Sequence, residues 1–256
     1  MRYIHKIALT AMMITFSVLI TRFMPGVQLG VYRFSLGAIP IVLASLILGP
    51  FWGGIVGAFS DILGALLFPV GPFIIWPLLG STLFGIVPSM LLLLIKKIRH
   101  RFPIRFLLYF LMGAIVLFIS AFVIFSTSFT YRATMDTEAT INFTLYWKIF
   151  TPIILVLLGF AIVVALEIFE KKFNSKKDID YLQITLTEVA LIIFITDFII
   201  DVLYGPIWKM IAFGSNLLVN FVVQTVLFVM AVIIKPPLIY YVLRVYYRLR
   251  PMDLLD

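Results

Sequence analysis

The sequence predicts an all-α integral membrane protein, and three observations carry that prediction. Of its 256 residues 63% are hydrophobic and only 12% charged, more apolar surface than a soluble domain of this size has use for. The apolar residues fall in runs of about 20, the length a helix needs to cross the hydrocarbon core of a bilayer. The basic residues gather at the ends of those runs rather than inside them, as membrane topology requires. The formal net charge of +8 therefore reads as topology, and nucleic acid is not expected as a partner. Cysteine is absent, which excludes disulfides, thiolate metal sites and cysteine catalysis.

The runs give eight predicted spans in one membrane domain covering residues 1–256. The first covers Tyr3 to Phe23 and has no small-residue cleavage pattern after it, so it is expected to be retained rather than removed as a signal peptide. A mixed segment from Val27 to Arg33 separates it from the second span, Phe34 to Leu48. Gly49-Pro50 then breaks the chain before the third, Phe51 to Phe68, and Pro69-Val70-Gly71-Pro72 before the fourth, Phe73 to Ile95. The fifth is Ile104 to Phe125, followed by a polar loop from Ser126 to Asn142. The sixth is Leu145 to Phe169, the seventh Tyr181 to Tyr204, and the eighth Ile211 to Ile234. Lys235-Pro236-Pro237 is expected to interrupt the last span before an aromatic and basic tail.

Orientation follows from counting cations by side. With the N-terminus in the cytoplasm, Arg22, Arg33, Arg132, Lys148 and Lys209 fall outside, and the other fifteen of the 20 Lys and Arg, Lys235 among them, fall inside. A three-to-one bias with an even number of spans puts both termini in the cytoplasm. The loops after the first, third and seventh spans then face outward together. They bring Arg22, Gln28, Arg33, Phe73, Trp76, Tyr204 and Lys209 to one mouth, with Asp61 in the outer half of the third span. Aromatic rings stack on a planar ligand and cations take its carboxylates, so this set suits a planar, anionic small molecule. An aromatic belt at the interface is the structural alternative for Phe73 and Trp76.

Within the third span Gly53, Gly57 and Asp61 recur every four residues and share one helical stripe. Glycines on such a stripe let a second helix approach closely, while a carboxylate inside an apolar span is a functional-site candidate. Asp197 and Asp201 form a second acidic pair on one face of the seventh span, open to reading as a proton or cation site of an ion-coupled secondary carrier. Glu188, nearer the other end of that span, reads as an interhelical hydrogen bond or a lysine pair. No Gly-x-x-x-x-Gly-Lys-[Ser/Thr] run and no His-Glu-x-x-His run is present, and His5 and His100 are the two histidines. The chain therefore carries no ATPase or metalloprotease motif, and no catalytic residue, cofactor or metal is expected.

The run Gly49-Pro50-Phe51-Trp52-Gly53-Gly54-Ile55-Val56-Gly57-Ala58-Phe59-Ser60-Asp61-Ile62-Leu63-Gly64-Ala65-Leu66-Leu67-Phe68-Pro69, preceded by Gly37-Ala38-Ile39-Pro40-Ile41, resembles the substrate-binding (S) component of energy-coupling factor (ECF) vitamin transporters, folate type. Leu203-Tyr204-Gly205-Pro206 and the helix after it resemble the family's last helix pair. The resemblance covers roughly residues 1–98 and 181–248. It implies a six-helix S-component-like core over 1–98 and 179–250, so the surplus pair of spans reads as a helical hairpin inserted over 99–178. It also implies a multi-pass protein of the bacterial plasma membrane that binds a vitamin, folate foremost, with high affinity. Its partners would be a transmembrane coupling subunit and two ATP-binding cassette ATPases, with lipid around it. The Ala-x-x-x-Ala with which the family's first helix docks the coupling subunit is not intact here, but Ala8, Ala11 and Thr15 keep a small-residue face in approximate register with it. An S component for another small metabolite, such as pantothenate, riboflavin or a modified base, is the neighbouring alternative.

Were the ligand folate, its chemistry suggests roles. The 2-amino-4-oxo pterin offers paired donors that Asp61 or Asp201 can accept. Phe73, Trp76 or Tyr204 can stack on the ring, and Arg33 and Lys209 can hold the glutamyl carboxylates.

Overall fold

The computed structural model describes residues 3–23, 27–29, 32–34, 36–69, 74–98, 104–125, 128–132, 138–142, 184–215 and 217–249, with isolated positions between 153 and 171. Local chemistry sets the first boundaries. Helix α1 is Tyr3–Phe23, α2 is Ala38–Leu48 and α3 is Pro50–Leu67. Gly49 alone joins α2 to α3, with φ at 96°, a left-handed conformation that side chains resist. Pro50 follows in the first turn of α3, where its missing N–H is not needed.

Helix α4, Ile75–Ile98, packs most extensively against α3, and glycine is the reason. A Cβ at Gly53 would fall on the carbonyl of Gly85, and one at Gly57 on the carbonyl of Ser81. Without side chains there the two backbones touch, the close approach expected of membrane helices. Next to this seam Ser89 N donates to Ser45 Oγ at 3.2 Å, and Ser89 Oγ donates to the Ser45 carbonyl. That joins α2 to α4 through buried groups.

The second half is α5 (Ile104–Phe125), α6 (Leu186–Asp197), a π-helical segment (Phe198–Tyr204), α7 (Gly205–Phe213) and α8 (Leu217–Leu249). Residues 189–194 of α6 are almost fully buried, so this helix forms the centre of the bundle. Phe194 and Phe198 both pack edge-on against Phe228 of α8, with ring centroids 5.1 and 6.1 Å away. Arg105 of α5 pairs with Glu170 at 2.9 Å, and Thr187 of α6 donates to the same carboxylate at 2.7 Å. Among the described residues, α1, α3, α4 and most of α8 are long and apolar enough to cross a membrane. The molecule is an all-α membrane protein.

Several expectations need correction. The mixed segment after α1 contains an antiparallel hairpin, β1 (Val27–Leu29) with β2 (Tyr32–Phe34), in which Gln28 lies opposite Arg33. The loop after α5 contains another, β3 (Ser128–Arg132) with β4 (Glu138–Asn142). Both pairs use β-branched and aromatic residues that favour a pleated strand. The seventh span begins only at Leu186, because Thr185 and Glu188 form a capping box: Glu188 N donates to Thr185 Oγ1 at 3.2 Å and Thr185 N to Glu188 Oε2 at 2.8 Å. Glu188 thus also caps its own helix, a local role that the expectation of an interhelical bond or lysine pair did not include. Residues 205–213, expected as loop and the start of the last span, form the separate helix α7, which ends at Gly214 with φ at 62°.

The largest correction concerns the last span. Lys235-Pro236-Pro237 does not interrupt it, because α8 continues through both prolines to Leu249. Pro236 is buried, and neighbouring helices hold a span together where proline removes its own backbone bonds. Lys235 is consequently no cytoplasmic-end cation; it is 3% exposed inside the bundle. Removing it from the inside count leaves fourteen cations against five, and the bias stands. Most of the expected sixth span, Leu145 to Phe169, lies outside the described residues.

Candidate functional site

A cavity of about 450 Å³ opens at the end of the bundle where α1 and α3 finish and α2, α4 and α8 begin. Pockets of that size take drug-sized ligands. Its walls are of two kinds.

One wall belongs to α1 and α3. Asp61 sits one turn below Gly64 on α3, and the bare surface of Gly64 is covered by the Arg22 guanidinium. A Cβ there would meet Arg22 Nε at 3.2 Å and Nη2 at 3.3 Å. Arg22 Nε and the Ser60 hydroxyl are buried without a hydrogen-bond partner among the described residues, and both residues line the cavity. Buried polar groups are ordinarily satisfied, so this wall offers a donor and a hydroxyl to an occupant.

The other wall comes from the π segment, α7 and α8. A π-helical turn is rare and concentrates at functional sites; here it brings Asp201 and Tyr204 to the cavity. The Tyr204 hydroxyl donates to the Trp76 carbonyl at 2.8 Å, tying this wall to α4. Lys209 of α7 is 5% exposed and lines the cavity, with Nζ 5.4 Å from the Trp208 ring centroid. Asn220 Nδ2 donates to the Pro206 carbonyl at 3.2 Å and to Ser215 Oγ at 2.7 Å, fixing α7 on α8. At the floor, Lys235 Nζ donates to Asp197 Oδ2 at 2.8 Å and lies 3.9 Å from Asp201 Oδ2.

Of the residues expected at the mouth, Arg22, Asp61, Tyr204 and Lys209 therefore line one cavity, and Asp201 of the acidic pair joins them. Trp76 meets it through its carbonyl to Tyr204 rather than as a lining side chain. Arg33 lies on β2, but its side chain, like the whole of Phe73, is outside the described residues. Asp197 is 1% exposed behind the cavity wall, held by Lys235. Ala8, Ala11 and Thr15 are exposed on α1, whereas Thr10, Met13 and Ser17 are buried.

Sequence reasoning missed Ser60, Trp208, Gln224 and Lys235 as lining residues. Gln224 had a correlate in Gly205 of the neighbouring helix, whose missing side chain leaves room for it: a Cβ there would lie 2.7 Å from Gln224 Nε2. Lys235 had one too, because apolar residues continue beyond the two prolines. A lone lysine inside a helix that does not stop is a buried lysine in need of an acid.

Two comparisons with known proteins bear on this arrangement. The family described as "ECF transporter, substrate-specific component" matches residues 5–169. The chain is also similar to the folate transporter FolT of Clostridium novyi (strain NT), 33% identical over 90 residues, which are 34% of this chain and 52% of that protein. The chain thus spans about half the length of that curated relative.

Proposed function

The chain belongs to the family of ECF transporter substrate-specific components, and on that premise we propose that it is the high-affinity vitamin-binding subunit of an ATP-driven importer, with folate as its ligand. It is a transport subunit rather than an enzyme. The coupling subunit and two ATP-binding cassette ATPases that the family implies would supply the energy, and the exposed Ala8, Ala11 and Thr15 face of α1 would dock the first of them. Residues 99–178 would be an addition to the family core, although α5 within that stretch contributes Leu108 and Met112 to the common core.

The observation that carries the folate reading is the polar composition of one cavity. Asp61 and Asp201 stand on opposite walls as acceptors for the amino and N–H groups of a pterin ring. Tyr204 and Trp208 offer aromatic surface, and Arg22 and Lys209 offer charge to a carboxylate. Arg33 and Phe73 remain assigned to the mouth. The carrier reading is disfavoured by Lys235, whose ammonium sits where a coupling cation would bind between Asp197 and Asp201.

Equilibrium titration of the purified chain with folic acid tests this. Saturable binding is expected, and Asp61→Ala should weaken it by more than about tenfold, the scale for a buried hydrogen-bonded charge. Unchanged affinity in that variant would remove Asp61 from the site, and no binding by the wild type would remove folate.

A further inference from the structure

Gln224 and Lys235 both line the cavity and lie eleven residues apart on α8, so the cavity runs about 16 Å along that helix and Lys235 is at its floor. An ammonium has three N–H donors. Asp197 Oδ2 takes one at 2.8 Å. Asp201 Oδ2, at 3.9 Å, lies beyond hydrogen-bond reach. The Phe84 ring, its centroid 5.1 Å from Nζ, covers another side. Leaving the N–H groups of a buried ammonium unused is costly, and Lys235 is 3% exposed yet borders an open cavity. Asp201 borders the same cavity with its side chain 34% exposed.

A donor held in place by Asp197 and an acceptor 3.9 Å from it thus stand side by side at the floor. That pattern is complementary to a lactam edge, in which a ring carbonyl adjoins a ring N–H. We infer that Lys235 and Asp201 together read the lactam edge of the ligand ring, Lys235 donating to the carbonyl and Asp201 accepting from the adjacent N–H. Asp197 is the positioning residue: it is 1% exposed, does not line the cavity, and holds the ammonium in place. This assignment rests on the folate reading and deepens it, because the 4-oxo group and N3–H of a pterin form such an edge. It also sets specificity, since a 4-amino ring presents a donor where Lys235 requires an acceptor. A site built to hydrogen-bond one group rejects the analogue that cannot reciprocate.

Folic acid and its 4-amino analogue differ at that position, and both can be titrated against the full-length purified chain. The wild type should prefer folic acid by more than about tenfold. Lys235→Met should lose more than about tenfold in folic acid affinity and change little toward the 4-amino analogue, so that the preference collapses. Because Lys235→Met leaves Asp197 without its cation, the neutral pair D197N/K235M serves as the second variant and should show the same collapse. Retention of the wild-type preference in either folded variant overturns the assignment, as does a wild type that binds both ligands equally. A wild type that binds neither ligand overturns the folate reading itself, so the two failures are distinct.

Discussion

Two helix seams flank the cavity, and they are held by opposite means. Between α3 and α4 nothing polar is needed: Gly53, Gly57 and Gly85 let backbone lie on backbone. Between α6 and α8 the contact includes a buried ion pair, Asp197 with Lys235, as well as Phe194 packed edge-on against Phe228. The first seam gains dispersion and loses little side-chain entropy, as membrane helices do without a hydrophobic drive. The second carries a desolvation cost that only its own partner offsets. A seam of absent side chains serves packing alone. A seam of charges also leaves donors and acceptors for whatever enters the cavity beside it.

Removing one charge from the second seam should have the largest effect. Lys235→Met leaves Asp197 buried and unpaired, which should cost about 3–5 kcal/mol, whereas D197N/K235M should recover most of that loss. Thermal unfolding in detergent measures both, and equal midpoints for the single and double variants would mean that charge does not hold this seam. The glycine seam should respond less. Gly57→Ala puts a methyl group on the Ser81 carbonyl, an overpacking expected to cost about 1–3 kcal/mol. Gly113→Ala on α5 is its control, since nothing lies within 4 Å of that position, and it should be neutral or up to about 1 kcal/mol stabilising. The smallest effect belongs to the start of α6, away from both seams. Thr185→Ala removes half of the capping box and should cost about 1 kcal/mol, seen as faster hydrogen exchange of the first-turn amides with the unfolding midpoint barely moved.

How much of this was legible in the chain depends on the range of each interaction. The Gly53-x-x-x-Gly57-x-x-x-Asp61 stripe lies within one helix, so its face and its carboxylate could be read from spacing alone. Thr185-x-x-Glu188 was equally local and could have been read as a cap. The π segment gave no such sign, because no residue type marks a π turn; its Tyr204 bonds to α4 and its Asp201 lies 3.9 Å from Lys235 of α8, both contacts far along the chain. The hairpin β1–β2 was hidden by its three-residue strands, too short for alternation to declare itself.

By itself the amino-acid order determined the membrane class, the early helices, the glycine face of α3 and the family resemblance, all of which rest on composition or on contacts a few residues apart. Only the tertiary structure decided that Lys235 belongs to Asp197, 38 residues earlier in the chain, and that α8 runs on through Pro236 and Pro237. It also decided which of the scattered polar residues, Arg22, Ser60, Asp61, Asp201, Lys209 and Lys235, meet around one cavity. The physical reason is the same in each case. A buried charge and a proline-bearing helix are tolerated or excluded by the neighbours that packing supplies, and those neighbours lie far away along the chain.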